Sequence, residues 1–277
     1  MIEVTMRFEA RDARFTAPLG VPMPEATPVS FTAEGAHLST VWSPDAAQHL
    51  AVGVPDANEV VLRWQFSPEQ ADYPEALFAV MNNRFTRAAE GIAGETRAIA
   101  AAAGGGAAGL QAIVDHVAQI FDYGHPTGKF YDGYDEIPHL CDRTEGSCVD
   151  INAYLIAALR AAGYQAGYLY GLFVPEEKQD WCEDGHCWVA TRHNGIVQDW
   201  DIAHHLKMGR RSITPGLNPK PGVRLPLAHS MGWSLPALGL NATKVLGIPL
   251  WLTDAGPRVP DDLTFRLEGY DQLVNGT

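Results

Sequence analysis

Gly146-Ser147-Cys148 stands directly before a run in which Ile151, Leu155, Ala158, Leu159 and Ala162 fall on one face of a helix, with Gly163 as its stop. The spacing predicts that the Cys148 sulfur lies in the first helical turn, among backbone N–H groups that have no intrahelical partner. Their partial positive charge favours a thiolate. The thiolate is the form of cysteine that attacks a carbonyl carbon, and an imidazolium nearby would favour it further. Taken alone, a cysteine in such a position is more often a small packing residue. Its chemistry depends on what the chain brings beside it.

The partner histidine is His186, in the strand-like run Gly185-His186-Cys187-Trp188-Val189. This run and Ile196 to Ile202 flank Asn194-Gly195, the dipeptide most characteristic of a two-residue hairpin turn. With that turn, His193 pairs with Ile196, Ala190 faces Asp199 and Trp188 faces Asp201, so both aspartates share the face of His186. Asp201 then lies on the diagonal from His186, about 7–8 Å between backbones, which side chains can bridge. Asp199 is two residues further along, roughly 13 Å away by strand rise. Asp201 is the expected orienting acid. A bulge or a longer turn would give the role to Asp199, and a one-residue slip would turn both away.

These residues need a scaffold, and the chain divides for it into three parts. Residues 1–68 read as a β-rich N-terminal domain: Ile2, Val4, Met6 and Phe8 alternate, as do Leu62, Trp64 and Phe66, with prolines between. Residues 69–206 form the expected catalytic core. There Leu77, Phe78, Met81 and Phe85 recur at helical spacing, the Ala/Gly stretch 100–109 reads as a surface loop, and Leu110, Ile113, Val114, Val117 and Phe121 share a second helical face. A long loop over 127–147 feeds the Cys148 helix, and 164–174 reads as a central strand. Residues 207–277, rich in Pro and Gly, read as an extension without assignable regular structure, packed on the core. The fold class is α+β.

Gly-Ser-Cys-Val-Asp opening a helix, Tyr-Gln-Ala-Gly-Tyr entering a strand, His-Cys-Trp-Val and Val-Gln-Asp-Trp-Asp together resemble the transglutaminase-like superfamily over about residues 110 to 205. The resemblance implies a papain-like core, a helix carrying the cysteine packed on an antiparallel sheet, with the histidine and aspartate on adjacent strands. It assigns Cys148, His186 and Asp201 as a catalytic triad for a cysteine peptidase or amidase, with hydrolysis favoured over amine transfer. It also implies a peptide or protein amide as substrate, and no cofactor. Two departures stand out: Cys187 replaces the usual alanine of His-Ala-Trp-Val, and Ile202 follows the aspartate where the family often has proline.

The net charge of −13 excludes the clustered Lys and Arg on which nucleic-acid or anionic-membrane binding depends. The run from Met1 to Phe8 alternates like a strand and lacks a signal-peptide pattern, so the expected location is cytoplasmic. No apolar stretch is long enough to span a bilayer. Two competing readings remain at this level. Cys141, Cys182, His186 and Cys187 include the residue types zinc prefers, but without a Cys-x-x-Cys pair and with His186 and Cys187 on opposite strand faces. A catalytically inactive binding module that keeps the fold is the other. His204, His205, Tyr131, Tyr134, Glu136, Arg210, Arg211 and Arg224 could border a cleft, although packing or solvent roles are the commoner outcome for such residues.

Overall fold

The computed structural model describes residues 1–183, 185–244 and 246–274. Six strands come first: β1 (Ile2–Glu9), β2 (Arg14–Pro18), β3 (Thr27–Glu34), β4 (Ala36–Ser43), β5 (Gln48–Pro55) and β6 (Glu59–Ser67). Helices α1 (Glu75–Phe78), α2 (Glu90–Ala102) and α3 (Gly106–Ile120) lead to two short strands, β7 (Phe121–Tyr123) and β8 (Thr144–Gly146). Helix α4 (Cys148–Ala161) is followed by β9 (Gln165–Pro175), β10 (Trp181–Cys182), β11 (Gly185–His193), β12 (Ile196–Trp200) and α5 (Ile202–Lys207). The chain ends with β13 (Gly222–His229), β14 (Trp233–Leu235), β15 (Leu240–Thr243), β16 (Leu250–Thr253), β17 (Gly256–Arg258), β18 (Phe265–Glu268) and α6 (Tyr270–Val274). The architecture is α+β, its sheets are mostly antiparallel, and its N-terminal region is β-rich.

Two compact units share the chain. One comprises Met1–Ala76, Tyr170–His186 and Pro221–Thr277, the other Leu77–Leu169 and Cys187–Lys220. Strands β9 and β11 each cross the division, at Leu169–Tyr170 and His186–Cys187 respectively.

In the first unit, two five-stranded sheets have the orders β10-β18-β1-β6-β3 and β17-β16-β2-β5-β4. The alternation that predicts β1 is what its burial shows, since Ile2, Val4, Met6 and Phe8 are buried and the residues between them are not. Phe8, Phe15 and Trp251 meet edge to face with ring centroids 5.2–5.8 Å apart, the arrangement their quadrupoles prefer. The segment expected to lie as an irregular extension on the core instead supplies strands here: Leu267 pairs with Val4 and Trp251 with Phe15. Runs as short as Leu250-Trp251-Leu252 and Phe265-Arg266-Leu267 carry too little periodicity to stand out among prolines and glycines. Their stability comes from neighbouring strands contributed by the other end of the chain.

In the second unit, α4 is buried nearly all round, with Cys148 and every residue from 150 to 159 buried. The Ala/Gly stretch is not a loop. Alanine is the best helix former, so α2 runs on to Ala102 and α3 starts at Gly106, leaving only a turn in which Gly104 and Gly105 take positive φ. Gly109 is small for a packing reason: a Cβ there would lie 2.4 Å from the Tyr164 hydroxyl and 3.0 Å from the Ala100 carbonyl oxygen. Conversely, the helical spacing over 77–85 yields only α1. Beyond it the Asn83 side chain accepts from the Phe85 N–H at 2.9 Å, a local bond that competes with helix continuation.

Candidate active site

Parallel pairing of β7 with β8 sets Tyr123 against Gly146, immediately before the turn into α4. A Cβ at position 146 would sit 3.0 Å from the Phe121 ring and 3.3 Å from the Asp150 Cβ, so glycine lets the chain enter the helix this closely. Ser147 is the N-cap and Cys148 the first helical residue, at 9% exposure. Asp150, the third helical residue, reaches back: its Oδ2 accepts from the Ser147 N–H at 3.0 Å and from the Ser147 hydroxyl at 2.7 Å. The Tyr131 hydroxyl donates to Oδ1 at 2.5 Å and Lys129 Nζ lies 3.3 Å from Oδ2. Burial alone would raise the Asp150 carboxyl, but the bonds from Tyr131 and Ser147 and the Lys129 charge outweigh it and hold the group below the ordinary carboxylate range. Tyr131 is thus a buried anchor for the start of α4, not the groove-bordering loop residue its sequence setting allowed. The signal for its partner was legible: an acid three residues after a serine N-cap is a capping-box position.

The β11–β12 hairpin has the expected register. His193 pairs with Ile196, Ala190 with Asp199 and Val189 with Trp200, and Asn194 and Gly195 take φ of 51° and 77°, as a two-residue type I′ turn requires. Trp200 is buried and its indole N–H donates to Thr191 Oγ1 at 2.7 Å. Asp201 leaves the ladder and becomes the N-cap of α5, its Oδ1 accepting from the His204 N–H at 3.0 Å. The N–H of His205 bonds to the Asp201 carbonyl, and so does His205 Nδ1, at 2.8 Å; His205 Nε2 accepts from the Thr214 N–H at 3.2 Å. That pair of contacts fixes the His205 tautomer with its proton on Nδ1.

His186 is 4% exposed, and its ring meets Phe173 edge to face at 5.9 Å. It is carried by β11, the strand whose continuation pairs with β12. The side chain of His204 explains what holds Asp201: its Nδ1 lies 3.1 Å from Asp201 Oδ2 and 2.9 Å from Asn218 Oδ1. Asn218 Oδ1 also accepts from the Lys220 N–H at 3.1 Å, which orients the amide with its oxygen toward the ring. His204 Nδ1 therefore carries a proton and donates to both oxygens.

With a proton on Nδ1, His204 has no lone pair at that nitrogen for a metal ion, and a metal site needs ligand atoms gathered from several such side chains. The zinc reading built on Cys141, Cys182, His186 and Cys187 finds no such grouping among the described residues. Cys141 is exposed, with Sγ 3.8 Å from His139 Nδ1, Cys182 is buried in β10, and the four cysteines are free thiols. Cys187 is fully buried, and Asn152 Nδ2 donates to its carbonyl at 3.0 Å and lies 3.4 Å from its sulfur.

Of the other cleft candidates, Arg211 has a structural role. Arg211 donates to the carbonyls of Ala118 and Phe121 at 2.7 and 2.9 Å and pairs with Asp122, satisfying carbonyls at the C-terminal end of α3. Tyr134 is exposed. His204 is the residue whose part in the site sequence reasoning undervalued. Its position three residues after Asp201, the N3 place of an Asp-capped helix, is the signal that could have found it.

A family model for the transglutaminase-like superfamily matches residues 94–200, taking in Cys148 and His186 and ending one residue before Asp201. No curated protein matches the sequence. Among solved structures, a candidate cysteine protease from Cytophaga hutchinsonii is similar at 11% identity, with 96% of each chain covered and a TM-score of 0.49. The periplasmic domain of TgpA from Pseudomonas aeruginosa, bound to ethylmercury, is similar at 15% identity over 75% of this chain and 78% of that one, with a TM-score of 0.39. Gly-Ser-Cys at the start of α4 and His-Cys-Trp-Val on β11 both lie inside that segment, so residues 94–200 carry this chain's match to the transglutaminase-like superfamily.

Proposed function

We propose that this chain is a cysteine-nucleophile hydrolase of peptide or protein amide bonds, with Cys148 as nucleophile, His186 as general base and acid, and Asp201 as the group that orients His186. The observation that supports it best is that Asp201 is buried and fixed as the N-cap of α5, its carboxylate held by His204, just after the strand that pairs with the continuation of the one carrying His186. In this reading His186 takes the Cys148 proton and the thiolate adds to the amide carbonyl. The oxyanion forms beside the Cys148 backbone N–H, at the positive end of α4. Collapse of the adduct breaks the C–N bond as the His186 imidazolium protonates the leaving amine, giving a thioester. His186 then deprotonates a water that attacks the thioester, releasing the acid and the thiol. We place the protein in the cytoplasm, a reducing compartment consistent with its four free thiols; cell fractionation checks this.

The test uses a panel of peptides and glutamine-containing proteins, with and without a primary amine, read by mass spectrometry. Cleavage or deamidation that disappears in Cys148→Ala and His186→Ala is the expected result. Amine incorporation in preference to either would make the acceptor an amine rather than water. Failure of all three reactions in wild type, together with iodoacetamide labelling of Cys148 no faster than that of exposed Cys141, would identify an inactive binding module instead.

A further inference from the structure

Behind Cys148 lies a second thiol that the proposed hydrolysis does not use. Cys148 and Asn152 are four residues apart, on one face of α4. The Cys187 sulfur lies against that face, 3.4 Å from the Asn152 amide nitrogen and in hydrogen-bonding contact with the Cys148 side chain, with the Tyr168 hydroxyl as a further neighbour. The two sulfurs differ in access and in acidity. Cys148 retains 9% of its surface, whereas Cys187 has none, so a reagent from solution meets Cys148 first. Burial, then the contact with Cys148, push the Cys187 thiol upward, so the pair sheds its proton at Cys148 and Cys187 stays the neutral donor. A helix-start thiolate backed by a protonated thiol is the arrangement in which one sulfur is oxidised and the other traps the product.

We propose that Cys148 and Cys187 are a redox pair in which a hydroperoxide oxidises Cys148 and Cys187 closes an intramolecular disulfide that reversibly silences the nucleophile. In the first step the Cys148 thiolate attacks the peroxide. An S–O bond forms, the O–O bond breaks, and the alkoxide or hydroxide released takes a proton from solvent. The sulfur is oxidised by two electrons and the peroxide reduced by two. In the second step the Cys187 sulfur attacks the Cys148 sulfenic acid, so that an S–S bond forms, the S–O bond breaks, and hydroxide leaves with the Cys187 proton as water. Two equivalents of a small thiol reverse it through a mixed disulfide, restoring both cysteines and releasing the oxidised reductant. Because Cys187 is sealed from solvent, the trap acts at contact range and competes with a second peroxide for the sulfenic acid. It thereby protects the site from sulfinic acid, which thiols do not reduce.

The proposal rests on Cys148 being the reactive thiol, and the experiment separates the two ideas. Full-length protein is first labelled with iodoacetamide, then a second sample is titrated with hydrogen peroxide, digested with trypsin and mapped. Wild type is expected to yield peptides 144–160 and 179–192 joined and two hydrogens lighter than their sum, with fragmentation placing the bond on Cys187. The joined species should persist in Cys182→Ser, and dithiothreitol should restore Cys148 labelling. Cys187→Ala and Cys187→Ser should instead add two oxygens at Cys148, about tenfold faster than wild type and beyond rescue by dithiothreitol. Equal oxygenation of Cys148 in wild type and both variants, or a bond to Cys182, overturns the proposal. If the same protein labels rapidly at Cys148, only the redox pair falls. If Cys148 labels no faster than Cys141 and resists peroxide, the hydrolase reading falls with it.

Discussion

Replacing Tyr131 by phenylalanine isolates what the start of α4 owes to one hydroxyl. The ring packs edge to face against Phe85 at 6.0 Å and Phe130 at 4.8 Å, and phenylalanine keeps both contacts. The bond to Asp150 Oδ1, 2.5 Å long and buried at both ends, is lost. A hydrogen bond to a charged group is worth roughly 1.5–3 kcal/mol net, so Tyr131→Phe should cost about 2 kcal/mol in urea unfolding at neutral pH. The cost should depend on pH with a definite sign. Asp150 is held below its unfolded value, so the stability drawn from its ionised form is fully present above the ordinary carboxyl range and is lost as pH falls through the lowered folded value. The gap between wild type and variant should therefore narrow as pH falls below the ordinary carboxyl range. In an Asp150→Asn background the tyrosine should matter less, a coupling that a double-mutant cycle reads directly. The loosened first turn should also slow iodoacetamide labelling of Cys148. A gap under about 0.5 kcal/mol, or one of equal size at neutral and acid pH, would refute this account of the anchor.

Three further outcomes follow from the same geometry. Asp201→Asn keeps an oxygen to cap α5 but sets an amide NH2 against the His204 Nδ1 proton, so the protein should lose about 2 kcal/mol yet fold, while amide turnover should fall about 10²–10⁴-fold; Asp199→Asn should stay within about threefold, and the reverse order in kcat/KM would transfer the orienting role. His204→Ala removes the donor to Asp201 Oδ2 and should destabilise by about 2 kcal/mol, and as a positioning change it should shift the pH profile of Cys148 labelling as well as its amplitude. His229, buried, is pushed down to about 3 by desolvation. The unfolded chain binds its proton near pH 6.5, so this histidine's contribution is complete above that value and is lost as pH falls toward 3; His229→Gln should flatten the decline in thermal midpoint across that window, and an unchanged slope would count against it.

What could be read from the sequence was what local rules decide. Asn194-Gly195 fixed the hairpin because few dipeptides tolerate positive φ at two successive positions, and the register of Asp199 and Asp201 followed by counting. Gly-Ser-Cys-x-Asp gave the start of α4 because capping is a matter of three or four residues. Strands made by partners far along the chain were hidden. Nothing within Leu250–Thr253 or Phe265–Glu268 says that β2 and β1 wait for them, since pairing across more than two hundred residues leaves no local periodicity. The Ala/Gly stretch misled in the opposite sense: its composition suggested a loop, while alanine's propensity and the room that Gly109 leaves for Tyr164 made it two helices. Tyr131 and His204 escaped for a third reason, because each acts through the side chain of a capping residue whose own role was visible.

The two reactive ends of the candidate site are both helix starts, and this accounts for their order. Cys148 is the first residue of α4, held by Ser147 and Asp150; Asp201 is the N-cap of α5, held by the backbone and ring of His204. A cap has one geometry, in which its side-chain oxygen must meet the N–H two or three residues on, so the side chain is oriented by the helix it begins rather than by substrate. Asp199 lacks such a device. It remains in the ladder opposite Ala190. The departure from proline after the aspartate is then intelligible. Ile202, buried as the first residue of α5, fills the position after the cap without proline's fixed φ, because the hydrogen bonds of Asp201 to His204 and His205 already define the turn. Substituting Ile202→Pro should therefore be tolerated in backbone terms, since proline suits a first helical position, and its cost should be that of lost apolar packing, about 1–3 kcal/mol, with the pH profile of Cys148 labelling unchanged. A shifted profile would show that Ile202 helps to orient Asp201, and that the cap alone does not.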